Sequence, residues 1–159
     1  MRIGFGYDSH RFCAGRELVL GGIVVPHDFG LEGHSDADVL CHAIIDALLG
    51  AAKLGDIGRL FPDNDTKFKD IKSTTLLREA YDLLRNNEYK LVNLDAVIIT
   101  EKPRLSEHIA EIERSIADCL CVGENLISVK AKTSEKMGFV GREEGIVVHA
   151  ACLIQKENL

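Results

Sequence analysis

No eighteen-residue run of apolar side chains interrupts the chain, and no charged, apolar, small-residue leader opens it, so a cytosolic protein is expected. No block of Lys and Arg stands out. With 19 basic against 25 acidic residues the net charge is −6, which disfavours a nucleic-acid surface and means that any anionic ligand needs local cations or a metal. The five cysteines (13, 41, 119, 121 and 152) include no CxxC pair, which excludes a disulfide framework and a cysteine-rich zinc site and leaves most of them as small buried residues. A GxxxxGK[ST] phosphate loop is absent, as are internal repeats and low-complexity segments. The three prolines, at 26, 62 and 103, all fall where turns are expected.

What remains is an ordinary globular balance, 46% hydrophobic and 28% charged, over 159 residues, enough for one domain (1–159) with a real core. The pattern is α+β. Residues 2–8 read as a strand and 17–26 as two strands about Gly21-Gly22. Residues 35–53 read as a helix, with Ser35 and Asp38 in a capping-box-like start. Residues 54–70 read as loop, 73–86 as helix and 89–100 as strand. A helix over 105–121 stops at Gly123, and 126–134 is a strand alternating Ile127, Val129 and Ala131 with polar partners. The last strand, 145–156, is apolar on both faces apart from His149, which predicts that both faces are covered, the second by another subunit. Helices on one side of a sheet fit this order.

Four places carry chemistry. In "GYDSHRF" (6–12), Asp8 and His10 point the same way from an extended chain, with Gly4 and Gly6 leaving space beside them. Asp38, His42 and Asp46 form a polar stripe on the first helix. Asp8, His10 and His42 would make a zinc-like set with an open fourth position, Asp38 or Asp46 holding the free ring nitrogen of His42. Spacing alone favours a solvated strand end and a surface histidine instead, because nothing local links 8 and 10 to 42. His34 and Ser35, after Gly33, sit where a helix start favours either a phosphate or a plain cap. "GDIG" (55–58) and "FPDND" (61–65) put carboxylates at 56, 63 and 65, for polyol hydroxyls or for solvent. "KAKTSEKMGFVGREEG" (130–145) offers Lys132, Thr133, Ser134, Glu135, Phe139 and Arg142 around two glycines. It suits a diphosphate with Mg²⁺ held at Glu135, or a plain polar loop. "TEKPRLS" (100–106) has extended backbone that could read a flat base edge.

Three long motifs, "RIGFGYDSHRF", "GLEGHSDADVLCHAIIDALLGAAKLGDIGRLFPDND" and "VKAKTSEKMGFVGREEGI", stand in the order and spacing of the 2-C-methyl-D-erythritol 2,4-cyclodiphosphate synthases of the non-mevalonate isoprenoid pathway. The whole chain closely resembles that family. The resemblance implies ferredoxin-like subunits in a homotrimer around a central β-prism, with active sites between subunits. It implies Asp8, His10 and His42 as ligands of Zn²⁺ or another divalent metal, and Mg²⁺ or Mn²⁺ at Glu135. Asp8, Ser9, His10, His34, Ser35, Asp56, Ile57, Gly58, Phe61, Pro62, Asp63, Asn64 and Asp65 match positions around the methylerythritol 2-phosphate. Thr100, Glu101, Lys102, Pro103, Arg104, Leu105 and Ser106 match positions that hold cytidine and its phosphates, together with Lys132, Thr133, Ser134 and Glu135. Phe139 and Arg142 match further substrate contacts, and His34 and Thr133 match residues credited with transition-state stabilisation. Lys132 and Ser134 replace threonines of some members. His149 replaces an acid, so three imidazoles would meet if that position lines the trimer axis. The implied reaction is closure of a cytidine diphosphate substrate to a cyclic diphosphate with release of CMP. A zinc phosphohydrolase and a non-catalytic nucleotide-binding trimer are the alternatives.

Overall fold

A computed structural model describes residues 1–157. Strand β1 (Arg2–Cys13) is followed by the hairpin β2 (Leu18–Leu20) and β3 (Ile23–Val25), and by the short β4 (Gly30–Leu31). Helix α1 (Val39–Ala52), the one-turn α2 (Ile57–Leu60) and α3 (Ser73–Asn86) lead to β5 (Tyr89–Ile99). Helix α4 (Ile109–Leu120), β6 (Ile127–Lys132), the one-turn α5 (Gly138–Gly141) and β7 (Gly145–Lys156) complete the order. The main sheet runs β4-β1-β7-β5-β6. Strand β7 is antiparallel to both β1 and β5, and β5 is parallel to β6 through the α4 crossover. The C-terminal ends of β1, β5 and β6 therefore share one edge of the layer.

Helices α1, α3 and α4 cover one sheet face with a leucine- and isoleucine-rich core. Position i, i+2 alternation decides which β1 residues face them. Gly4 and Gly6 lie against α1, where an added Cβ would stand 1.9 Å from the carbonyl oxygens of Ala47 and Ala43 respectively. Strand and helix thus meet backbone to backbone. On the other face Ile3, Phe5 and Tyr7 are 77%, 66% and 48% exposed, with the His149 ring of β7 5.7 Å from Phe5 and 5.2 Å from Tyr7. In the single chain the second apolar face of the final strand is thus part of an open surface.

Several sequence boundaries move. Helix α1 is capped by Asp38, not Ser35: the buried Asp38 carboxylate accepts from the backbone N–H of Cys41, Gly21 and Gly22 at 3.1, 3.0 and 2.7 Å. The plain-cap role expected of Ser35 thus falls to Asp38, and His34 and Ser35 lie ahead of the helix, in the loop that precedes its cap. The segment 54–70 is not all loop, since α2 and a 3₁₀ turn (Thr66–Phe68) form there, capped by Asp56 and Asp65. Helix α4 starts at Ile109 and ends with Cys121 at φ 52°, whereas Gly123, at φ −68°, opens the next turn.

The close contact of β1 and α1 makes a paired prediction. Gly6→Ala should destabilise the fold by at least about 2 kcal/mol, because backbone must shift to admit the methyl. Gly50→Ala, in the same helix with nothing within 4 Å, should stabilise it by about 0.5–1 kcal/mol. Denaturant midpoints of the two variants check both signs.

Candidate metal centre and flanking clefts

Asp8 and His10, two residues apart on the α1-facing side of β1, converge on His42 of α1. Asp8 Oδ2 lies 2.9 Å from His10 Nε2 and 3.1 Å from His42 Nδ1, and the two ring nitrogens are 3.2 Å apart. Among the described residues this is the one group of three or more His, Cys, Asp or Glu that could share an ion. The donor set fits a divalent metal. Around a tetrahedral ion with bonds of about 2.0–2.2 Å, neighbouring donors stand about 3.3–3.6 Å apart, a few tenths wider than this triangle.

The rings are oriented from behind. His10 Nδ1–H donates to the Glu32 carbonyl at 2.5 Å, which leaves Nε2 as the free donor. His42 Nε2 is 2.9 Å from Ser73 Oγ and 3.2 Å from Ser35 Oγ. The Ser73 hydroxyl donates to Asp36 Oδ1, and its backbone N–H donates to Asp36 Oδ2 at 3.0 Å. Ser73 Oγ must then accept the proton on His42 Nε2, so His42 Nδ1 presents a lone pair to Asp8 and His10. Asp36 and Ser73 were not legible as site residues: Ser73 reads as a helix-opening serine. The expected tautomer holders have other roles. Asp38 caps α1, and Asp46 accepts the Ile57 N–H at 2.7 Å. Burial alone would raise the Asp8 carboxyl, but hydrogen bonds and charge from His10 and His42 outweigh it and bring it down to about 2. Burial works against His10⁺, yet the Asp8 carboxylate raises its imidazole above the ordinary range.

A 370 Å³ cleft opens beside the triad, lined by His34, Ser35, Ile57, Gly58, Phe61 and Asp63 among others. Phe61 is buried edge-on against Phe68, with ring centroids 5.4 Å apart. His34 Nε2–H donates to the Asp65 carbonyl at 3.2 Å. Asp56 and Asp65 use a carboxylate oxygen on the N–H of Arg59 and Lys67, each at 2.9 Å, and neither they nor Pro62 and Asn64 line this cleft.

A second cleft, of 680 Å³, brings together Thr100, Glu101, Pro103, Arg104, Leu105 and Ser106 with Lys132 and Thr133. Lys102 points away from it, with Nζ 3.1 Å from Glu143 Oε1. Thr133 Oγ1 donates to Glu135 Oε1 at 2.6 Å. Ser134 Oγ donates to the Met137 carbonyl at 2.8 Å. Ser9 and Phe139 flank a small groove with His10, while Arg142 sits outside all three hollows, its Nε 2.6 Å from Glu144 Oε1. Asp8, Val148, Ile98 and Ala131 lie in register across the sheet. Three strand spacings, roughly 14 Å, therefore part the triad from the β6 wall of the second cleft.

Removing the hydroxyl behind His42 tests the relay. Ser73→Ala should weaken divalent-metal binding about 10–100-fold while the chain stays folded, as read by competition with a chromogenic chelator.

The YgbB family profile matches residues 1–155. The 2-C-methyl-D-erythritol 2,4-cyclodiphosphate synthase of Clostridium novyi (strain NT) is 52% identical over 157 residues, covering 99% of this chain and all of that protein. Among solved structures, the bifunctional IspDF of Campylobacter jejuni superposes with a TM-score of 0.96 at 42% identity, over 99% of this chain and 42% of that longer one. The CDP complex of IspF from Plasmodium falciparum gives a TM-score of 0.86 at 36% identity, over 99% of this chain and 97% of that one. With motifs, fold and full-length likeness in agreement, the chain belongs to the YgbB family and is an enzyme of the phosphorus–oxygen lyase class, a cyclodiphosphate synthase of isoprenoid biosynthesis.

Proposed function

We propose that residues 1–159 act as a single synthase domain in the cytoplasm. It converts 4-diphosphocytidyl-2-C-methyl-D-erythritol 2-phosphate to 2-C-methyl-D-erythritol 2,4-cyclodiphosphate and CMP. The observation that carries the reading is the convergence of Asp8, His10 and His42 beside a cleft whose lining includes both imidazoles. No helix among the described residues is long and apolar enough to cross a membrane, which accords with this setting.

An oxygen of the 2-phosphate attacks the β-phosphorus, the bond from that phosphorus to the bridging oxygen breaks, and CMP departs with the electron pair. The nucleophile is already an anion, so no side chain has to remove a proton. The barrier lies in bringing two anionic groups together. A divalent cation, taken as Zn²⁺, on Asp8 Oδ2, His10 Nε2 and His42 Nδ1 would draw charge from the phosphoryl oxygens, with Mg²⁺ or Mn²⁺ at Glu135 beside the diphosphate. The protein's own part is to fold the substrate into a ring-ready shape, a proximity effect on the order of several kcal/mol. Ile57, Gly58 and Phe61 wall the polyol side, Thr100 and Pro103 to Ser106 hold the cytidine, and Lys132 supplies positive charge at the same cleft. His34 and Thr133, whose protons here go to the Asp65 carbonyl and to Glu135, are the groups this reading assigns to stabilising the charge that develops.

The two clefts flank different strands of one chain, with β7 and β5 between β1 and β6, and Ile3, Phe5 and Tyr7 leave an apolar sheet face open. Both features support ferredoxin-like subunits assembled as a homotrimer around a β-prism, each site combining the metal side of one subunit with the nucleotide side of the next.

His42→Ala should lower CMP release from the named substrate at least about 100-fold, and ¹⁸O-labelled water should leave no label in the product of the wild type. Undiminished release by the variant rejects the metal assignment, and solvent oxygen in the products identifies a hydrolase. Phe5→Glu should convert a three-chain particle to monomers in sedimentation velocity, because it would bury an unpaired charge at the interface.

A further inference from the structure

We propose that Glu101 is a positioning residue for the loop 133–137 rather than a contact of the nucleotide, an inference that rests on the reading of Thr133 and Glu135 as serving the diphosphate. A single carboxylate oxygen, Glu101 Oε1, accepts the backbone N–H of Ser134 at 2.9 Å and of Lys136 at 3.0 Å. Between and beside these donors, Glu135 and Lys136 stand at φ 50° and 61°. Two successive non-glycine residues in the left-handed region hold that shape only where their surroundings impose it.

The surroundings on the loop's own side do not anchor it to the sheet. Thr133 donates to Glu135, Ser134 Oγ donates to the Met137 carbonyl, and the Met137 N–H donates to the Ser134 carbonyl, all within the loop. At the base of the second cleft the Thr100 N–H donates to the Lys132 carbonyl at 2.9 Å, where β5 and β6 part. Past that point, among the described residues, the hydrogen bonds joining segment 100–106 to loop 133–137 are the two accepted by Glu101. One side chain therefore ties the two walls of the cleft and sets where the Thr133 hydroxyl and the Glu135 carboxylate point. The task needs an acceptor oxygen, not a charge, so glutamine can perform it and alanine cannot.

The test compares wild type, Glu101→Ala and Glu101→Gln by hydrogen–deuterium exchange at residues 133–137, with β7 as the internal reference for folding, and by steady-state CMP release. In Glu101→Ala, loop protection should fall at least about tenfold. Its kcat should drop roughly 10–100-fold with KM changed less than about threefold, the signature of misplaced reacting groups rather than lost binding. Glu101→Gln should recover most of both losses. Unchanged loop protection in Glu101→Ala, a glutamine variant as unprotected as the alanine one, or a change confined to KM would each overturn the proposal. Should the wild type release no CMP, the reaction reading fails by itself, while the exchange data still decide whether Glu101 holds the loop.

Discussion

The site depends on a contact that has no side chain in it. Strand β1 reaches the backbone of α1 because Gly4 and Gly6 present nothing where Ala43 and Ala47 turn their carbonyls toward the sheet. Further along β1, on the same face as these glycines, come Asp8 and His10, and on the helix His42 directly precedes Ala43. With the strand held this close, the carboxylate and the two imidazoles meet at about 3 Å. A methyl group at position 6 would act on all three at once, through a rigid interior that transmits such displacements.

Burying charge under this helix is managed in two different ways. Asp8 is surrounded by imidazoles that favour its ionised form and keep its carboxyl at about 2 despite burial. Asp38 is fully buried with no ion-pair partner among the described residues, and desolvation raises its carboxyl even though three backbone N–H groups point at it. The first arrangement suits a group that will face a cation; the second suits a structural cap that closes α1 and pins the Gly21-Gly22 turn to it. Cys41, buried and 3.3 Å from Asp38, is pushed up by the same desolvation and remains a thiol.

Local periodicity made much of this legible. The i, i+2 spacing put Asp8 and His10 on one face, the 3.6-residue repeat found α1 and α3, and the Gly-Gly pair marked the β2–β3 hairpin. What failed to show were choices between neighbours and meetings across the fold. Ser35 and Asp38 are both good caps, and only the nearby N–H groups of Gly21 and Gly22 decide for Asp38. Gly123 reads as the natural stop for α4, yet Cys121 adopts the left-handed turn two residues earlier. The relay from His42 through Ser73 to Asp36 joins three segments whose spacing carries no period, so neither Ser73 nor Asp36 had a signal to read. The pairing of residues 8 and 10 with 42 was in the same position: the residue types suggested it, the family resemblance implied it, and the β1–α1 contact brings it about.

The sheet then explains why the triad's cleft and the Thr100–Thr133 cleft are separate hollows of one chain. Its shared edge carries the metal ligands from β1 and the loops that follow β5 and β6, but the intervening β7 and β5 keep them apart. The same strands leave an apolar face open on the side away from the helices. On the proposed reading a second copy answers both needs, covering that face and carrying its own nucleotide-side loops to the neighbour's metal side. Such a division suits the chemistry. An already ionised nucleophile asks for no mobile acid or base, only for two phosphates held at bonding distance. Groups fixed to separate rigid sheets, and loops tied down as Glu101 ties 133–137, can hold them there without rearranging during the reaction.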